Sequence, residues 1–175
     1  LSPGDDITLG TAPDGWQGEI AEVLVFDRAL DTTERLIVDN YLAAKYSEDG
    51  NLVLPDSYDK YKGDTGRYDF EVAGIGQAGG GGYHSLSNSA GVRISGINSS
   101  IGEGEFVFIG HDNTYNKVDT TGMVDTVEAR WARNWCLDTT KTTPTGEIDI
   151  KVSFDLSEGI GGSTPGDPAN YVLLH

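Results

Sequence analysis

From residue 68 onward the chain is a succession of short, partly apolar stretches punctuated by clusters of Gly, Asn, Asp and Ser, and this rhythm constrains its fold more than any other feature. YDFEVAGI, HSLSNS, GVRISGI, EFVFIGH, VEARWARNWCLD, GEIDIKVSF and NYVLLH each read as a strand bounded by turn residues. Short strands at that spacing predict an all-β sandwich.

Upstream the pattern differs. DTTERLIVDNYLAAKY, residues 31–46, predicts one amphipathic helix. Asp31 and Glu34 are spaced as a capping box, Arg35 can pair with Asp39, and Ile37, Val38, Tyr41, Leu42 and Lys45 make a stripe at helical spacing. ITL at 7–9 and EIAEVLVF at 19–26 predict two further strands. In the second, Ala21, Val23 and Val25 face one way and Ile20, Glu22, Leu24 and Phe26 the other, so both faces are largely apolar. Such a strand belongs inside a sandwich, covered on each side. Residues 51–67, with Pro55 and KGDTG, read as a linker or irregular edge. The expected organisation is therefore a piece of one domain at 1–50 and a β-sandwich module at 51–175, all-β overall with the helix near residues 32–46.

Twelve Lys and Arg against 28 Asp and Glu give a net charge of −16, which repels phosphate backbones and anionic membranes and argues against nucleic acid as a partner. The acids are dispersed, as on a self-repelling soluble surface. Cys136 is the only cysteine, so no internal disulfide forms, and no Cys/His spacing points to zinc. No stretch approaches the ~20 apolar residues that span a bilayer, and none reads as a signal peptide. With 24 Gly and few Lys, the composition reads as a piece of a secreted or surface protein.

Several motifs suggest chemistry. Glu147 and Asp149 in GEIDIKVSF share a strand face as in laminarinase-type β-glucanases, whose strand reads E-x-D-x-x-E. Val152 occupies the last acidic position, and a retaining glycosidase needs two carboxyls about 5 Å apart in distinct roles. Lys151 on the same face fits a surface ladder, while Ile148, Ile150 and Val152 form an inward face. Gly74, Gly76 and Gly79 match GxGxxG, but no helix-forming segment follows, so a flexible connection is expected there. DTG at 64–66 occurs once, where aspartic proteases need two. His84, His111 and His175 are scattered, without a GxSxG elbow or HExxH. No catalytic residues are expected.

Two binding constellations stand out. Trp131, Arg133 and Trp135 alternate as on one strand face; exposed they would stack on sugar rings, and buried they would be core. Asp112, Asn113, Asn116 and Asp119, beside His111, offer donors for Ca²⁺ within a turn-like stretch, as do Asp5, Asp6 and Asp14. Asx-rich turns also cap their own backbone without metal. No cofactor follows with certainty, and Ca²⁺ is the one possible ion.

GWQGEIAEVLVFDRALDTTERLIVDNYLAAKY, from Gly15 to Tyr46, closely resembles the carboxyl end of bacterial concanavalin A-like (laminin-G/pentraxin-like) domains. YDFEVAGIGQ, HSLSNSAGVRI, EFVFIGHDN, RNWCLD and EIDIKVSFDLS are similar to a β-rich module that follows such domains in secreted surface proteins of Bacteroidetes-type bacteria. Gln77 stands where Arg is common there, and AGGGG replaces an Asp-rich insert. The resemblance implies an extracellular or cell-surface protein with several domains, a structural or adhesive role, and no established catalytic residues. It also implies that residues 1–50 are an incomplete sandwich, covered by an upstream part of the same protein or by neighbouring copies. The competing expectation is a carbohydrate-binding part of a polysaccharide-degrading enzyme.

Overall fold

A computed structural model describes residues 15–46, 52–63, 66–97, 100–123, 127–142, 146–159, 167 and 171–173. The expectations at 7–9, at Asp5, Asp6 and Asp14, at Asp64 and Thr65 of DTG, at His175 and at half of NYVLLH lie outside these residues; 171–173 of the last stretch carry no strand.

The chain divides into two compact units, 1–30 and 31–175. In the first, residues 19–26 form no ladder with any strand among the described residues, contrary to the strand expected there. Period-two patterning reports which faces a segment buries, whereas a strand exists only through a neighbour's matching hydrogen bonds. Ile20, Val23, Leu24, Val25 and Phe26 are each 41–54% exposed.

The second unit begins with helix α1 (Thr32–Tyr46) and continues through β1 (Phe70–Gln77), β2 (Tyr83–His84), β3 (Leu86–Ser89), β4 (Val92–Gly96) and β5 (Phe106–His111). It ends with β6 (Val118–Asp119), β7 (Arg130–Trp131), β8 (Trp135–Thr140), β9 (Ile150–Phe154) and a one-turn helix α2 (Leu156–Gly159) that sequence patterning does not signal. The strands pair antiparallel in a four-stranded sheet ordered β2-β1-β5-β8, a three-stranded sheet β3-β4-β9 and a small β6-β7 ribbon. The architecture is the expected one: mostly β, in several antiparallel sheets, with one substantial helix.

The four-stranded sheet is covered on both faces. Val72, Phe106 and Phe108 pack with Leu36 and Ala44 of α1 and with Tyr61; on the other face Ile75, Val107 and Ile109 pack with Val92 and Ile94 of β4 and with Ile101. Ile148, Ile150 and Val152 join this second cluster, as their alternation predicts. All six residues of β5 are buried because it is a central strand with a layer on each side.

Gly74 and Gly76 are not a flexible connection but interior positions of β1. They lie opposite Phe108 and Phe106, and a methyl group at either would overlap the facing ring. The glycines vacate the space that two stacked phenyl rings, 6.0 Å apart, occupy beneath the helix.

The helix is held by polar bolts. The capping box forms as expected: Glu34 N–H donates to Asp31 Oδ1 at 2.9 Å and Asp31 N–H to Glu34 Oε2 at 3.0 Å. The buried stripe, however, is Thr33, Leu36, Asn40 and Ala44, rotated from the expected one. Two polar residues sit inward because each is fully used. Thr33 Oγ1 donates to Gly82 O and accepts from Ala78 N–H. The Asn40 amide donates to Leu36 O and Tyr58 O, and its oxygen accepts from the N–H groups of Lys60 and Tyr61. These bonds tie α1 to the β-module and make 52–63 a fitted edge rather than a linker. The compact units accordingly part at Leu30/Asp31, with the helix on the far side of the boundary expected near residue 50.

Candidate functional site

Polar and aromatic side chains gather where β1, β5 and β8 end together, Phe70 opposite His111 and His111 opposite Trp135. The β1–β5 register shifts between Phe70 and Ala73, a bulge that places Glu71 at φ 47°, in the left-handed region costly for a residue with a Cβ. The bulge brings Glu71 Oε2 to 3.2 Å from Nε2 of His111, which is 1% exposed. His111 Nδ1 accepts the Asn113 N–H at 3.0 Å. An acceptor Nδ1 leaves the proton on Nε2, so the two partners select the neutral tautomer. Burial pushes the imidazole pKa down and outweighs the opposing hydrogen bond to Glu71; Arg133 adds to the depression.

Aromatic rings complete the cluster. Phe70 stacks on His111 with centroids 6.1 Å apart, Trp135 meets it edge-on at 6.4 Å, and Trp131 meets Trp135 edge-on at 4.4 Å. Trp131 and Trp135 both pack against the aliphatic core, and the Trp135 indole N–H is buried without a partner among the described residues. The single strand expected across 127–138 is two, β7 and β8, with bends between, so Trp131, Arg133 and Trp135 do not form an open platform.

Instead Trp131, Arg133 and Asn134 brace the 112–117 loop. Trp131 Nε1–H donates to Asn116 Oδ1 at 2.7 Å, Arg133 Nε–H to Thr114 O at 3.1 Å, and Asn134 Nδ2–H to Asp112 Oδ2 at 2.7 Å. Asp112 Oδ1 accepts the backbone N–H groups of Thr114 and Asn134. Burial raises the Asp112 pKa, and these bonds from Asn134 and Thr114 overcome it, leaving the carboxyl below its usual range. Asp119 accepts from the hydroxyl and N–H of Thr121 and, at 2.9 Å, from Arg130; the Thr121 hydroxyl bond is the main cause of a pKa held down to about 2. Asn113 takes φ 56°, a turn conformation Asn tolerates.

The oxygens proposed for Ca²⁺ at Asp112, Asn116 and Asp119 are thus bonded to N–H and O–H donors of Thr114, Thr121, Trp131 and Asn134, and Asp119 also faces the Arg130 guanidinium. A cation there would compete with those donors for the same oxygens. Among the described residues no three His, Cys, Asp or Glu side chains converge.

The remaining motifs are placed separately. Glu147 and Asp149 are exposed on the outward side of the chain entering β9, beside Lys151, with Val152 inward. Ser87 Oγ donates to Gly74 O, and His84 Nε2 lies 3.4 Å from Ser87 Oγ. The sequence pattern did not reveal the His111–Glu71 pair, since forty residues separate its members and a bulge sets their register. No protein-family model, curated protein or solved structure matches this chain.

Proposed function

We propose that this chain is a non-catalytic part of a larger extracellular or cell-surface protein of bacterial type, working in adhesion or structural assembly. The observation that carries the reading is the apolar stretch 20–26. Ile20, Val23, Leu24, Val25 and Phe26 are about half exposed, and a run of large apolar side chains left open to solvent marks a contact surface. Its cover is an upstream part of the same protein or a neighbouring copy. The braced 112–117 loop supports the same reading, since its polar groups serve rigidity. The net charge of −16 keeps such a module soluble and away from nucleic acid.

The test is the mass and association state of the protein isolated from its source. A polypeptide well above 18.7 kDa, or association abolished by Val23→Asp with Val25→Asp, supports the reading. A monomeric 18.7 kDa species, unaffected by both substitutions, overturns it.

A further inference from the structure

The three-stranded sheet ends on β9, which pairs with β4 alone and has no strand on its other side among the described residues. The ladder fixes which backbone groups face that open side. Ile97 N–H donates to Asp149 O and Asp155 N–H to Gly91 O, so residues 149, 151, 153 and 155 turn their N–H and C=O groups toward β4. Ile148, Ile150, Val152 and Phe154 therefore direct theirs away from the sheet. Ile148, Ile150 and Val152 pack on the core yet are only part-buried, whereas Val92 and Ile94 beside them on β4 are sealed at 1% and 0% exposure. The core is open toward this edge.

Other edges of the module are shorter or flanked. β2 runs for two residues and β3 for four. Beside β8, the Asp138 carboxylate accepts the Lys62 N–H and the Thr140 hydroxyl donates to Lys60 O. On the approach to β9, Lys141 Nζ–H donates to Gly146 O at 2.8 Å, and no such bond shields Ile148 to Val152 among the described residues. An open edge rich in β-branched residues is a template for another strand. This one is complementary to itself. Laid antiparallel on a second copy with Ile150 opposite Ile150, Ile148 meets Val152 and Asp149 meets Lys151, each twice about the two-fold axis. The edge-directed N–H and C=O groups then fall in hydrogen-bonded pairs, while the exposed Asp149 and Lys151 side chains lie opposite each other on the outer face. Slipping one strand by two residues sets Lys151 against Lys151 or Asp149 against Asp149, which disfavours those registers. Each copy carries −16, but salt at about 0.15 M screens that field over about 8 Å, so charges at the seam outweigh distant ones.

We propose that β9 is an assembly edge: two copies of this chain join antiparallel along 148–152, so that β3-β4-β9 of one continues into β9-β4-β3 of the other as a single sheet. The contact goes beyond the assembly reading above, since it is made by backbone groups of the β-module and does not use residues 20–26. Main-chain hydrogen bonds supply the affinity, and the paired Asp149 and Lys151 select the register.

Sedimentation equilibrium of the chain from micromolar to millimolar concentration in about 0.15 M salt, paired with amide hydrogen exchange, tests it. The expected result is a reversible dimer in which the amides of Ile148, Ile150 and Val152 gain protection as the dimer forms, while those of Lys151 and Ser153, already bonded to β4, do not change. Asp149→Lys and Lys151→Asp each set like charges opposite one another at both symmetric positions and should weaken association about tenfold or more. An equimolar mixture of the two variants, in which opposite charges meet again, should associate within about threefold of the wild type. Both side chains are exposed, so unchanged melting temperatures of the variants separate lost contact from lost fold. A monomer at millimolar concentration, whether its edge amides exchange or are covered by its own chain, overturns the proposal. So do single variants that dimerise like the wild type, or a mixture that fails to recover. Dimers that survive Val23→Asp with Val25→Asp but not Lys151→Asp belong to β9; dimers lost with the former and indifferent to the latter leave the reading from residues 20–26 standing and overturn this one.

Discussion

The two polar regions of the β-module use similar side chains to opposite ends. At the β1-β5-β8 end, Arg133, Asn134, Asp112 and Asn116 bond to one another and to backbone, and the 112–117 loop is held by its own chain. Over the three-stranded sheet, Arg93 and Asn88 make one mutual bond and keep their other donors outward. The difference follows from what the backbone nearby requires. A loop between short strands leaves N–H and C=O groups that side chains must satisfy, whereas residues within a paired ladder have backbone partners already and can spend their side chains elsewhere.

That comparison breaks or sharpens under substitution. Trp135→Ala, which removes the ring joining His111 and Trp131 to the aliphatic core, should lower unfolding free energy by about 3 kcal/mol in denaturant titration. A loss below about 1 kcal/mol would mean the cluster is not structural. Asp112→Ala strips the acceptor from three donors and should lower stability by roughly 2 kcal/mol, with faster hydrogen exchange at Thr114 and Asn134. Adding millimolar Ca²⁺ to the wild-type chain should leave the melting temperature unchanged, since the candidate oxygens are already bonded; a clear rise would restore the metal reading.

Acid should act on the braced region in two stages. Burial lowers the folded pKa of His111 below 6.5, so its contribution is complete above that value and declines as pH falls through the unfolded pKa toward the folded one. Asp112 is also lowered, from 3.8, so its share disappears only at lower pH. His111→Gln should flatten the first stage of a stability–pH profile and leave the second. The smallest effect is expected in the open region: Arg93→Ala should change stability by no more than about 0.5 kcal/mol, because its contacts are exposed. A larger loss would show that Arg93 is structural and erase the contrast.

How much was legible depended on whether neighbours in sequence or in space decide the feature. The capping box of Asp31 and Glu34 was readable because its partners lie three residues apart. The inward face of Ile148, Ile150 and Val152 was readable because alternation is intrinsic to a strand. The helix stripe was read one face away from the buried one, since Thr33 and Asn40 become inward residues only through acceptors and donors at Ala78, Gly82, Tyr58, Lys60 and Tyr61. Gly74 and Gly76 looked like a loop motif because the rings that need their space lie thirty residues on.

By itself, then, the order of residues determined the β-rich class, the single long helix and its cap, the side of each strand that faces inward, and the acidic surface, all of which rest on spacing and charge. Only the tertiary structure decided that Trp131, Arg133 and Asp112 brace a loop, that His111 meets Glu71 across a bulge, and that β9 lies at the open edge of its sheet. Those outcomes depend on strand register, and register emerges when distant segments pair and compete for the same donors and the same space.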